Sequence, residues 1–139
     1  MYKKILVPLD GSKNSIKALD TAIKMSKIFR AKIVVLSVVD NTKLGYEPLP
    51  TKLYEGLDSN AKKVVEYGRD SAWNQGLTIN GMVEKGNPKQ VIVDYAQKNS
   101  IDLIIIGRSG MNALNQLVIG STTAYIVRNA NIQVLVVNA

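Results

Sequence analysis

The sequence predicts a doubly wound α/β fold, in which a parallel β-sheet lies between two layers of helices. Two observations support this prediction. Short, continuous apolar runs rich in β-branched residues recur along the chain, and segments with a helical period separate them. Continuous apolar runs indicate strands that are covered on both faces, as parallel sheets are. At 139 residues the chain suits one such domain with a continuous core, so residues 1–139 are interpreted as a single domain.

Five segments are predicted to be strands. Four of them are β-branched apolar runs: Lys3 to Leu9, Lys32 to Val39, Ile101 to Ile106, and Ile132 to Val137. The fifth, Leu77 to Val83, is less regular because Asn80 and Gly81 interrupt it.

Four helices are predicted between these strands from apolar residues at helical spacing. The first two carry the stripes Ile16, Leu19, Ala22, Ile23, Ser26, Phe29 and Leu57, Ala61, Val64, Val65, Gly68, Ala72. Pro88 behind Asn87 suits the first turn of the third helix, whose inner face is Val91, Ile92, Tyr95 and Ala96. The fourth is Ser121 to Asn129, with Thr123, Ile126, Val127 and Ala130 facing inward. Strands and helices that alternate in this way make a parallel sheet with right-handed crossovers.

Composition excludes several classes of protein and site. The apolar fraction of 46% and charged fraction of 21% are those of a soluble globular protein, and no run approaches the roughly 18 apolar residues of a membrane-spanning helix. The apolar stretch from Ile5 to Leu9 is too short for a signal peptide, so a cytoplasmic protein is expected. The chain has no cysteine and no histidine, which excludes thiolate nucleophiles, histidine bases, and metal sites built from either residue.

The formal net charge of +7 raises the question of nucleic-acid binding. The lysines are scattered over predicted outer faces, and no block of five basic residues with interleaved aromatic residues occurs. We therefore interpret the charge as solvated surface, which argues against a nucleic-acid partner. Attraction for another anionic partner remains the alternative.

Doubly wound sheets bind ligands beyond the carboxyl ends of their strands, so the loops after the first and fourth strands are the candidates. The fourth strand is followed by Gly107-Arg108-Ser109-Gly110, nine further residues, and then Gly120-Ser121-Thr122 at the start of the last helix. Glycines let backbone approach a phosphate, and a helix start presents free amides and the positive end of its dipole. The hydroxyls of Ser121 and Thr122 add donors, and Arg108 adds a cation. Each glycine alone suits a simple turn, whereas the full pattern favours a phosphate site.

At these residues the chain resembles the universal stress protein family, and the resemblance extends over the whole chain. The nucleotide-binding members carry G-x2-G-x9-G-[ST], which Gly107, Gly110, Gly120 and Ser121 match without gaps. The other matching segments are Ile5 to Ser12, Leu36 to Asp40, Gly86 to Pro88, and Ile132 to Val137. The resemblance implies a Rossmann-like, adenine nucleotide α-hydrolase-like sheet of five strands in the order 3-2-1-4-5. It also implies ATP binding, homodimerisation and a role in stress signalling.

The resemblance also assigns roles to particular residues. The family's adenine and ribose contacts fall on Pro8, Asp10 and Val38. Its phosphate contacts fall on Gly107, Gly110, Gly120, Ser121 and Thr122, and the backbone amides of Arg108, Ser109, Met111 and Asn112 are expected to complete the cradle. Many members have histidine where this chain has Ser109, so any role of that imidazole is absent here. Asp-Gly-Ser after a strand is also common turn chemistry, so for Asp10 a purely turn-forming role stays open.

Missing motifs narrow the function further. There is no G-x4-G-K-[ST] for rapid γ-phosphate chemistry, and no G-x-G-x-x-G after the first strand for NAD or FAD. Mg²⁺ held mainly through triphosphate oxygens is compatible with the sequence, because this ion needs few protein ligands. The leading hypothesis is an ATP-dependent switch, in which ATP orders the segment from Asp40 to Lys52 or from Gly110 to Gly120 for an unidentified protein partner. The alternatives are slow ATP hydrolysis assisted by Asp10, and a dimeric interaction protein that binds AMP or a cyclic nucleotide.

The final strand predicts how two copies associate. Ile132 to Val137 is apolar, contains neither lysine nor proline, and lies at the edge of a sheet in the expected order. An open edge of this kind is a pairing hazard. Antiparallel pairing of two copies about a two-fold axis would close it, so a homodimer through this strand is expected.

Overall fold

The computed structural model describes residues 1–42, 50–109 and 118–138. Strands and helices alternate throughout these residues. In chain order the elements are β1 (Lys4–Pro8), α1 (Lys13–Phe29), β2 (Lys32–Asp40), α2 (Thr51–Asn74), β3 (Asn80–Gly86), α3 (Pro88–Lys98), β4 (Leu103–Gly107), α4 (Ser121–Asn129) and β5 (Gln133–Val137).

The five strands form one parallel sheet in the order β3-β2-β1-β4-β5, which confirms the predicted fold class and strand order. β1 lies at the centre, where Leu6 pairs with Val34 on one side and with Ile104 on the other. The chain order reverses between β1 and β4. Their carboxyl ends therefore flank the crevice in which folds of this type hold ligands.

Helices cover both faces of the sheet, as the continuous apolar strands predict. Ile5 and Val7 of β1 pack on one face against buried residues of α1 and α2, such as Leu19 and Val65. Leu6 points to the opposite face and packs with buried residues of α3 and α4. Alternate residues of a strand face opposite sides, so a fully buried strand needs apolar residues at every position.

β3 differs from its prediction: it begins at Asn80 rather than Leu77 and extends to Gly86. The amide of Leu77 donates to the Ala72 carbonyl, and Gly76 has a φ of 84°, so both residues belong to the turn that ends α2. Gly81, which weakens the strand signal, lies directly beneath α2. A Cβ at Gly81 would overlap Cγ1 of Val65, so glycine here allows the helix to pack on the strand.

Two predicted inward positions are exposed. In α2 the first buried residue is Ala61, and Leu57 of the preceding turns is 37% exposed. In α4, Thr123 and Ile126 are buried as predicted, whereas Val127 is 52% exposed. Helical spacing identifies a stripe, but it does not show where that stripe extends beyond the sheet. Among the residues described, no helix is both long and apolar enough to cross a membrane.

Candidate functional site

The predicted adenine and ribose residues lie at the carboxyl edge of the sheet. Pro8 is the buried last residue of β1, and Asp10 lies two residues later in an exposed turn. Val38 is half-buried in β2, two positions beyond Leu36, the β-sheet partner of Pro8. Gly107 is the last residue of β4, the other neighbour of β1. The fold therefore brings the two predicted parts of the site to one edge.

Asp10 forms the turn between β1 and α1. The amide of Ser12 donates to Asp10 Oδ1 at 2.9 Å, and Gly11 adopts a φ of 84°. Ser12 in turn caps α1, because its Oγ accepts from the amide of Ser15 at 3.1 Å. The turn-forming role of Asp10 is thus present in the structure. It uses one carboxylate oxygen, which is compatible with a ligand contact through the other.

The loop after β4 is closed at its base by backbone hydrogen bonds. The amide of Gly120 donates to the carbonyl of Arg108 at 2.9 Å, and the amide of Arg108 donates to Val137 of β5 at 3.0 Å. Thr123 Oγ1, which is buried, donates to the carbonyl of Gly107 at 2.8 Å. Arg108 and Gly120 therefore lie side by side, and the start of α4 is fixed against the end of β4.

The start of α4 faces the same edge of the sheet. Gly120 is its N-cap, and among the described residues no side chain caps this helix end. The first intrahelical bond runs from Ala124 to Gly120, so the amides of Ser121, Thr122 and Thr123 have no partner inside the helix. Ser121 is exposed and Thr122 half-buried. These donors, with the positive end of the helix dipole, favour an anion.

Asn14, in the first turn of α1, is a site residue that the sequence did not predict. Its Nδ2 donates to both the carbonyl and the Oγ of Ser109, each at 2.8 Å. A Cβ at Gly107 would lie 2.8 Å from the carbonyl carbon and oxygen of Asn14, so glycine is required there for α1 to approach β4. The two partners are separated by 95 positions, and although Ser109 lies in the glycine motif, nothing in the sequence pairs it with Asn14.

Part of the predicted site lies outside the described residues. These positions are Gly110, Met111 and Asn112, together with residues 43–49 of the segment from Asp40 to Lys52. Their predicted contributions stay predictions. At the described start of that segment, both the amide and the hydroxyl of Thr42 donate to Asp40 Oδ1, at 2.9 and 2.6 Å, and form a turn.

Two charged side chains, Arg108 and Asp10, belong to the described part of the predicted site. Arg108 is half-buried at the base of the loop, and Asp10 is exposed across the crevice. In the part of the chain that the structure describes, no three acidic side chains converge as a metal site would need. Two shifted groups lie outside the predicted site: burial, followed by the charge of Glu84, raises the pKa of Tyr95, and the hydrogen bond to Asp58 raises the pKa of Lys62.

Comparisons with known proteins agree with this architecture. The model of the universal stress protein family matches residues 1–138. A universal stress protein of Methanocaldococcus jannaschii, MJ0531, is 32% identical over 142 residues, which cover 99% of this chain and 82% of that protein. The structure of UspA from Lactobacillus plantarum superposes with a TM-score of 0.88 at 29% identity, over 98% of this chain and 97% of that chain.

Two more distant structures contain adenine nucleotides. A universal stress protein in complex with cAMP superposes with a TM-score of 0.75 at 22% identity, over 99% of both chains. A family member from Arabidopsis thaliana with AMP bound gives a TM-score of 0.69 at 16% identity, over 97% of this chain and 90% of that chain. At these identities the likeness is one of fold.

Proposed function

Because the chain belongs to the universal stress protein family, we propose that it binds ATP at the carboxyl edge of its sheet and acts as a nucleotide-dependent signalling module in the stress response. The family match confirms the resemblance found in the sequence. The observation that carries the proposal is the closed loop base, where the amide of Gly120 donates to Arg108 directly before the amides of α4 that have no partner inside the helix. This arrangement presents several donors to one anionic group without a reorganisation of the backbone.

The phosphates are assigned to the start of α4 and the loop that precedes it. Ser121 and Thr122 offer amides and hydroxyls, and Arg108 offers a cation at the loop base. The hydroxyl of Thr123 is used within the protein, because it donates to Gly107, so this residue contributes its amide alone. The predicted amides of Gly110, Met111 and Asn112 would extend the same cradle.

The adenosine moiety is assigned to the ends of β1 and β2. Pro8 and Val38 offer apolar surface beside the crevice, and the free carboxylate oxygen of Asp10 can accept from a ribose hydroxyl. The AMP and cAMP found in two distant family members support an adenine nucleotide as the ligand class. ATP is the preferred member of this class because the amides, the two hydroxyls and Arg108 supply more donors than one phosphate needs.

A magnesium ion fits this site only as a companion of the nucleotide. The described residues offer no cluster of carboxylates for it. Mg²⁺ commonly keeps several waters and binds substrate phosphates, so water and the triphosphate oxygens would supply most of its ligands. Its chemical contribution would be to neutralise phosphate charge.

We also propose that two copies pair through β5. This strand is at the sheet edge and carries no charged residue. Leu135 on the strand and Val127 on the adjacent helix are 37% and 52% exposed, and Val118 and Ile119 before α4 are also exposed. An uncharged edge flanked by exposed apolar side chains is suited to a second copy of the chain.

Native mass spectrometry tests the ligand assignment. The intact protein is measured as purified and after addition of ATP, with GTP as the matched control for the base. We expect one adenine nucleotide per chain and no retained GTP. ATP and GTP have the same phosphates and ribose, so any difference in retention between them is due to the base. Equal retention of ATP and GTP would contradict the adenosine assignment, and retention of neither would contradict nucleotide binding.

A further inference from the structure

The side-chain amide nitrogen of Asn14 donates to two oxygens of a single residue. Nδ2 has two hydrogens, and the carbonyl and the hydroxyl of Ser109 each accept at 2.8 Å. The backbone oxygen and the side chain of Ser109 are therefore held at the same time. The bond to the carbonyl holds the backbone of Ser109, and the bond to Oγ also favours one rotamer of its side chain.

This contact is packed as well as hydrogen-bonded. Ser109 is 5% exposed, and the absence of a Cβ at Gly107 lets the backbone of Asn14 approach the end of β4. Arg108, which lies between Gly107 and Ser109, accepts the hydrogen bond from Gly120 that closes the base of the loop. Asn14 thus connects the first turn of α1 to the loop base, and through the loop base to the start of α4.

We propose that Asn14 is a positioning residue for the nucleotide phosphates: it holds the entrance of the loop after β4 in the conformation that accepts them. The inference rests on the proposed function and deepens it. α1 follows the turn that carries Asp10, whereas α4 carries Ser121 and Thr122. The Asn14–Ser109 contact therefore sets the relative position of the two sides of the crevice before a ligand arrives, and a prepositioned loop base costs less to order on binding.

Calorimetric titration with ATP and with adenosine separates this role from general support of the fold. The variants are Asn14→Ala, which removes the side chain, and Asn14→Leu, which keeps a similar shape without a donor. Asn99→Ala is the matched control, because Asn99 Nδ2 donates to the Tyr95 carbonyl at the other end of the sheet. Two lost hydrogen bonds predict about tenfold weaker ATP binding in both Asn14 variants. Adenosine, which has no phosphate, should bind within about twofold of the wild type.

Several results would overturn the inference. They are unchanged ATP affinity in either Asn14 variant, an equal loss for ATP and adenosine, and an equal loss in Asn99→Ala. An effect in Asn14→Ala alone would assign the role to packing rather than to the hydrogen bonds, and would also contradict it.

Hydrogen exchange of the ligand-free protein tests the same contact independently of nucleotide binding. The amide of Gly120, which is bonded to Arg108, should exchange faster in both Asn14 variants, while the amides of α3 stay unchanged. Unchanged exchange at Gly120 would overturn the positioning role even if ATP binds. Faster exchange in a protein that binds no nucleotide would support the contact and contradict the proposed function.

Discussion

Two adjacent threonines at the start of α4 have different environments. Thr123 is buried and donates to the carbonyl of Gly107, whereas Thr122 is half-buried on the side assigned to phosphate. Their side chains are chemically identical, so position alone separates a residue that holds the loop base from one proposed to contact the ligand.

Replacing each threonine with valine tests this difference, because valine keeps the shape and removes the hydroxyl. Thr123→Val should lower the free energy of unfolding by about 1–2 kcal/mol, since the Gly107 carbonyl loses a buried donor. Thr122→Val should leave stability within about 0.5 kcal/mol and weaken ATP binding. Urea denaturation and calorimetric titration measure the two effects. The reverse pattern, with stability lost at Thr122, would contradict the assignment.

The glycines of the nucleotide motif also differ from one another. Gly120 has φ −63° and ψ 154°, which any residue can adopt, so its conformation does not require glycine. Gly107 is required for the close approach of Asn14, whatever its relation to a phosphate. The sequence pattern assigns both glycines to the close approach of a phosphate. In the structure, Gly107 is also needed for the packing of α1 against β4. Gly120 is therefore the better position for a substitution aimed at the ligand.

At the scale of elements, α2 contains one glycine in open space and one in the core. A Cβ at Gly56 would meet no atom within 4 Å, whereas one at Gly68 would lie 2.8 Å from Cδ1 of Leu9. Leu9 is buried and Leu19 beside it is fully buried, so the core has little room to adjust.

Alanine at these two positions should have opposite effects. Gly56→Ala should raise the free energy of unfolding by about 0.5–1 kcal/mol, because alanine is the better helix former. Gly68→Ala gains the same propensity but overpacks the core, which costs about 1–3 kcal/mol, so we expect a net loss. Thermal or urea unfolding of both variants measures the difference. Equal stabilisation by the two alanines would show that α2 packs less closely on the sheet than the contact between Gly68 and Leu9 indicates.

The elements differ in how far the sequence could predict them. β1, β2 and β4 are continuous apolar runs, and each predicted run contains or nearly matches the observed strand. β3 was predicted to exist, but its bounds could not be predicted from its residues alone, because Gly81 weakens the strand signal while serving the contact with Val65. The contact between Asn14 and Ser109 could not be predicted at all. It joins residues 95 positions apart that only the parallel topology brings together.

The charge of the whole molecule is explained in part by its helices. α1, α3 and α4 each carry a basic residue in the last turn, namely Lys27, Lys98 and Arg128. Cations at these ends are stabilised by the helix dipole. The formal net charge of +7 therefore includes residues with a local structural role, in agreement with its interpretation as surface charge.

Association of two copies is the prediction that belongs to the whole molecule. Both edges of the sheet expose one large apolar side chain to a similar extent: Leu135 of β5 at 37% and Met82 of β3 at 40%. Leu135→Glu places like charges at the proposed two-fold interface, so it should shift the mass in light scattering from twice 15.2 kDa toward 15.2 kDa. Met82→Glu is the control on the other edge and should stay dimeric. A dimer broken by Met82→Glu instead would place the interface at β3.

The central claim is that the loop base and the start of α4 hold the phosphates of ATP, and Gly120→Val tests it most directly. The backbone angles of Gly120 are ones that valine adopts, so circular dichroism should remain that of the wild type, while the branched side chain would enter the space assigned to the phosphates. Calorimetric titration with ATP should give saturable binding for the wild type and at least about a hundredfold weaker binding for the variant. Wild-type affinity in a folded Gly120→Val protein would contradict the account.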